Sequence, residues 1–305
     1  MVYDWLGANI VPLAITYSLA FAALLVGSVT DLKTREVPDW VNYGLIISGV
    51  ALNALFSIIY FNPDFIVNSL AGLLIFFGIA YLMFQFGQWG GGDSKMLMGL
   101  GATIGIELRF SQQFLLGFFI NALLAGAVYG LLWSIMLAVK NRKKFSREFR
   151  KGLLSKSAIK IKKVMLGGMI LMAILLFFIE QYPIKIIEQY PVKVLILSLA
   201  FLVLVSFYLW IFVKAIEKSA MYKLVEPAKL TEGDWIVNDV YVSKKYICGP
   251  KDLGIDKKQI RKLVEFYKKG KVRRILIKEG IPFVPSFLIA FVITFLFGNA
   301  LMWIL

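Results

Sequence analysis

Histidine is absent from the 305 residues, and cysteine occurs once, at Cys248. The first absence removes His-ligated zinc sites, Ser–His–Asp triads and Cys–His dyads. The second removes any intrachain disulfide and any CxxC metal knuckle. Acids are scarce as well: 19 Asp and Glu stand against 34 Lys and Arg, for a net charge of +15. No Lys or Arg precedes Lys33. The first apolar run therefore lacks the basic start of a cleaved secretion signal, and it is too long for one. Any hydrolysis in such a chain has to rest on carboxylates, on Lys or Tyr, or on an oxygen-ligated metal. No metal and no cofactor are expected.

Apolar side chains are what the sequence has in excess. They make up 59% of it, with a mean hydropathy of +0.75, where soluble domains sit near roughly 45–50%. Several runs exceed the roughly 18 residues a helix needs to cross a bilayer core. The pattern predicts an all-α polytopic membrane protein of about eight transmembrane helices, near Ile10–Thr30, Trp40–Phe61, Phe65–Phe86, Ser94–Ile106, Phe114–Val139, Val164–Ile179, Val192–Val213 and Phe283–Leu305. The expected division is a membrane core of about five helices (1–139), a basic connector (140–163), two further spans (164–213), a small α+β cytoplasmic domain (214–282) and a last span (283–305).

Charge sets the orientation. Thirty-one of the 34 basic residues fall in alternate connections, eleven in 140–163 and seventeen in 214–282; only Arg109, Lys185 and Lys193 fall in the other set. By the positive-inside rule the basic loops are cytoplasmic and both termini lie outside. Topology and anionic inner-leaflet lipids account for the charge, so nucleic acid is not an expected partner. Within 214–282, DWIVNDVYV reads as a strand and VRRILIK as another. IDKKQIRKLVEFYKKG reads as a helix with Asp256 as N-cap, Gln259 completing a capping box and Gly270 closing it.

Ionisable residues at the edge of a span are costly and usually functional. Asp31 closes the first span and Asp93 opens the fourth, as an expected N-cap preceded by Gly90, Gly91 and Gly92. Both fall on the cytoplasmic side. Capping explains an aspartate but not three glycines, which permit positive φ and close approach of another chain. Two neighbouring carboxylates share one proton. The ionised one deprotonates a water and the other donates to the scissile carbonyl, while the glycines leave room for an extended peptide. Around this pair, Pro38 and Lys95 join the three glycines as expected substrate-side or loop residues. Asp31 ends a helix and Asp93 begins one, so the helix dipoles place the shared proton on Asp31.

DLKTREVPDW at 31–40 together with GGGD at 90–93 resembles the paired signature of the type IV prepilin peptidase and archaeal preflagellin peptidase family, a branch of the GxGD intramembrane aspartyl proteases. The closing stretch IKEGIPFVPSFLIAF is similar to the end of longer archaeal members. The resemblance implies that Asp31 and Asp93 are the catalytic pair. It implies prepilin or preflagellin precursors as substrates, cut at the cytoplasmic face between a short basic leader and the mature helix. Bifunctional bacterial members also methylate the new amine through a cysteine-bearing domain; with Cys248 alone, a peptidase without methyltransferase activity is expected. The competing readings are a presenilin-like intramembrane protease, a cation transporter using the same carboxylates, and a non-catalytic membrane anchor.

Overall fold

A computed structural model describes residues 2–106, 114–181 and 189–300. Arg109, Lys185 and the last five residues of the final expected span lie outside the described residues. The chain divides into two compact units, one of residues 1–133 with 224–305 and one of Ser134–Lys223.

In the first unit the membrane helices are α1 (Val2–Thr34), α2 (Asp39–Ile59), α3 (Asp64–Gln85), α4 (Gly91–Ile104), α5 (Phe114–Lys140, up to Trp133 within this unit) and α10 (Val284–Phe297). The second holds α6 (Arg142–Leu153), α7 (Lys156–Gln181) and α8 (Gln189–Ile216). Six helices among the described residues are long and apolar enough to cross a membrane: α1, α2, α3, α5, α7 and α8. The other two expected spans are helical but short, with 14 residues each in α4 and α10. The basic connector is not one piece: 142–153 is α6, and Lys156–Lys163 forms the first turns of α7.

α4 is a poor helix in isolation, since four of its residues are glycine and each glycine costs about 1 kcal/mol against alanine. Tertiary packing compensates. Gly101 lies against Gly72 of α3 so closely that a Cβ on Gly72 would stand 2.3 Å from the Gly101 carbonyl oxygen. The last carbonyls of a helix have no partner within it, and hydrocarbon offers none. Here Asn53 Nδ2 donates to the Ala102 and Thr103 carbonyls at 3.3 and 3.1 Å, and Ser69 Oγ to Ala102 at 2.5 Å. Thr103 Oγ1 donates in turn to the Leu45 carbonyl at 3.2 Å. α2 and α3 thus form a cradle that fixes α4, and with it the residues at its entrance.

α10 packs along α1 and is tied to α5 through Asn121. The Asn121 amide donates to Thr294 Oγ1 (2.9 Å) and to the Gly298 carbonyl (2.8 Å), and its oxygen accepts from Ala300 N (3.0 Å). The core of the helices joins Leu24, Leu45, Phe76, Met96, Leu97, Leu100, Phe118 and Phe287, all buried.

Between α8 and α10 lies the small mixed domain, its strands β1 (Tyr222–Val225), β2 (Trp235–Ile236), β3 (Val240–Val242), β4 (Lys245–Cys248) and β5 (Ile275–Lys278), and its helix α9 (Lys257–Lys268). A three-stranded sheet has the order β1-β5-β2, with Trp235 opposite Lys278 and Ile236 opposite Ile277; β3 and β4 form a hairpin. The expected strand DWIVNDVYV is therefore two short strands in different sheets. α9 matches its expected signals: Asp256 is the N-cap, Gln259 completes the box, and Gly270 follows at φ +70°. Its apolar face, with Leu263, closes a second core over Ile236, Val242, Ile247, Cys248, Ile275 and Ile277.

The second unit has a small core of its own, in which Ala158 packs with Phe207 and Ile211 and is flanked by Phe149, Leu153 and Met165.

Candidate active site

Asp31 sits in the last turn of α1, which runs three residues beyond it. The helix closes on Arg35, whose amide donates to the Asp31 carbonyl at 2.9 Å and whose φ is +63°. That left-handed geometry usually belongs to glycine. Two side-chain contacts hold Arg35 in it: Nη1 donates to the Gly280 carbonyl at 3.2 Å, and the guanidinium lies over the Trp133 ring, 5.1 Å from its centroid. The Asp31 side chain is 5% exposed, and its Oδ2 accepts from the amide of Val284 at 3.0 Å. Val284 is the first residue of α10, so the acid that ends one helix faces the start of another. The dipole asymmetry expected between the two acids is offset accordingly, because both now meet a helix N-terminus.

Asp93 is the third residue of α4, not its N-cap; Gly90 holds that position. The carboxylate reaches back to accept from Gly90 N at 3.1 Å. The three glycines have ordinary backbone geometry, and the left-handed residue of the loop is Gly87 at φ +64°. The expected positive φ at 90–92 is thus replaced by a requirement for space. A Cβ on Gly90 would stand 3.3 Å from Asp93 Oδ2, and one on Gly92 would stand 3.4 Å from Val37 Cβ. Gly92 is where the GGGD loop meets the loop after Asp31. One turn before Asp31, a Cβ on Gly27 would meet Met96 Cε at 2.7 Å and Val284 Cγ1 at 3.2 Å. α1, α4 and α10 therefore converge at one end, and the carboxyl groups of Asp31 and Asp93 are close enough to act on each other electrostatically.

Pro38 caps α2 at φ −59°, ψ 137°, leaving Asp39 to open the helix. Lys95 is bound to that Asp39, Nζ to Oδ1 at 2.6 Å, and lies over the Tyr43 ring. The exposed pair ties α4 to α2 rather than pointing into the acids.

Sequence reasoning left several neighbours unread. Trp89 is buried, its ring 5.8 Å from Phe283 and 5.4 Å from Phe287. A Cβ on Gly87 would stand 3.1 Å from the Trp235 ring of the small domain. Burial pushes the Asp234 carboxyl above the usual range; the Thr231 hydrogen bond opposes this, and the charges of Glu36 and Glu279 add to it. The small domain thus stands beside the loop that follows Asp31. Nothing local in the sequence pairs Val284 with Asp31, 253 positions away.

Fold and site together describe a multi-pass membrane protein in which two carboxylates from separate helices lie within electrostatic reach of each other at one end of a packed core. Residues 5–131 match the model of the Type IV leader peptidase family, which bears out over this segment the resemblance carried by its two motifs. Over 90 residues the chain is 37% identical to a preflagellin peptidase of Methanocaldococcus jannaschii, 39% to one of Methanococcus voltae and 38% to one of Methanococcus maripaludis. These matches cover 30% of this chain and 38, 38 and 39% of the relatives. The chain thus spans under two fifths of the length of the curated relatives it matches.

Proposed function

We propose that this protein is a membrane aspartyl endopeptidase that removes a short basic leader from preflagellin or type IV prepilin-like precursors at the cytoplasmic face. The observation that carries the reading is the convergence of Asp31 and Asp93, one from each motif, at the shared end of α1 and α4. The family match and the preflagellin peptidase relatives support it. Residues 1–139 with α10 carry the catalysis in this reading, 140–282 are accessory, and the basic loops rest on anionic inner-leaflet lipid without binding nucleic acid.

Asp31 and Asp93 act as a pair sharing one proton. The ionised carboxylate takes a proton from water as its oxygen bonds to the scissile carbonyl carbon. The protonated partner gives its proton to the carbonyl oxygen, forming a gem-diol. Collapse breaks the C–N bond, and the leaving nitrogen takes up a proton from the pair. Gly90 and Gly92 keep the approach clear. With one cysteine, buried at Cys248, the chain performs no methyl transfer to the new amine.

The test is incubation of the purified full chain with a preflagellin-type precursor and mass analysis of the products. Asp31→Asn and Asp93→Asn each reduce cleavage by roughly 10³-fold or more, the scale seen when one member of a catalytic unit is lost, with unchanged Tm. The product amine gains no methyl mass when a methyl donor is added. Wild-type cleavage by either variant would sink the reading.

A further inference from the structure

Two buried donors near Asp31 have no hydrogen-bond partner among the described residues. The Tyr129 hydroxyl and the Trp133 indole N–H are both closed off from solvent and make no hydrogen bond among the described residues. Buried polar groups are otherwise almost always paired, because leaving one bare forfeits its hydration. The indole N–H can only donate. The two residues are four apart on α5 and so share a helix face, with their rings tilted by 34° and centroids 5.7 Å apart.

Their setting matches a substrate wall. Asp31 and Arg35 are the charges that act on Tyr129, and the Arg35 guanidinium covers the Trp133 ring. Arg35 is itself fixed by the Gly280 carbonyl. Two donors beside a cation suit an oxygen carrying negative charge, and Asp31 supplies the chemistry next to it. Peptide carbonyls are the oxygens that an extended precursor brings out of water and must pair again. The scissile carbonyl is the one that gains charge as the gem-diol forms.

We propose that Tyr129 and Trp133 donate hydrogen bonds to backbone carbonyl oxygens of the bound precursor, the Tyr129 hydroxyl to the scissile carbonyl beside Asp31. The inference rests on the peptidase reading. The donors make the site selective for an extended, carbonyl-presenting segment. They also add an interaction that strengthens in the transition state, independent of the proton held by the two acids.

Tyr129→Phe removes one oxygen and keeps the ring. In the full chain it lowers kcat by roughly 10–100-fold, the scale for loss of one donor to a developing oxyanion, with KM and Tm nearly unchanged. Trp133→Phe gives a smaller loss of the same kind. Two uncleavable precursor analogues separate this from a structural effect. One carries a hydroxyl on a tetrahedral carbon at the scissile position; the other replaces the carbonyl with methylene. Tyr129→Phe binds the hydroxyl analogue at least about tenfold more weakly and the methylene analogue as wild type does. A Tyr129→Phe enzyme with wild-type kcat, or one that loses both analogues equally, overturns the proposal. If Asp31→Asn still cleaves, the peptidase reading itself fails; if it is inactive while Tyr129→Phe is normal, only this inference falls.

Discussion

The GGGD loop shows how one missing methyl group can matter. Gly90 has φ −71°, open to any residue, yet a side chain there would press on Asp93 Oδ2. Gly90→Ala therefore folds with little change in Tm but turns the carboxyl from its place, and cleavage falls by about tenfold or more, since a misplacement near 1 Å costs up to about 10²-fold. A wild-type rate for this variant would show that the glycine serves only the loop. Cys248 illustrates burial at the same scale. Burial, reinforced by the charge of Asp252, pushes its thiol up to about 11. The thiolate is the reactive form, and a raised value leaves less of it at any pH below that point. At pH 8 the folded protein alkylates roughly a hundredfold more slowly than the urea-unfolded chain, a difference that a maleimide or iodoacetamide time course resolves.

Among the elements, α4 depends most on its surroundings. Gly72→Ala places a methyl group against the Gly101 carbonyl and forces α3 away from α4. The cost is roughly 1–3 kcal/mol of overpacking, read as a lower Tm in detergent and as a parallel loss of cleavage, because α4 carries Asp93. Asn53→Ala leaves the Ala102 and Thr103 carbonyls without that donor and acts in the same direction. Much of this level was legible beforehand. Hydropathy marked α1, α2, α3, α5, α7 and α8, and the box Asp256–Gln259 marked α9, because those signals are local. The two acids stood out for the same reason, as charges at the ends of apolar runs. What could not be read depends on contacts between distant segments: the N-cap role of Gly90, the left-handed Gly87 and Arg35, and the amide of Val284 on Asp31. DWIVNDVYV misled because two apolar runs, Trp235–Val237 and Val240–Val242, are parted by only two polar residues, Asn238 and Asp239, too short a break to mark separate strands.

At the scale of the molecule, the asymmetric charge is the basis of the proposed orientation. In a Cys248→Ser background, Lys144→Cys is labelled by an impermeant maleimide only from the cytoplasmic side and Asp64→Cys only from the opposite side. The reverse pattern would invert the proposed topology and move the acids to the wrong face for a cytoplasmic leader. The segment matched by the family model ends at residue 131, yet the same compact unit extends through 224–305.

The amide that meets Asp31 has a temporal consequence. A ribosome making this chain emits both acidic motifs more than 180 residues before Val284. Until α10 slots in beside α1, the Asp31 carboxylate lacks its clasp and Trp89 lacks the aromatic rings it leans on. In the nascent protein the surroundings of both acids therefore stay incomplete until Val284 and Phe287 have emerged.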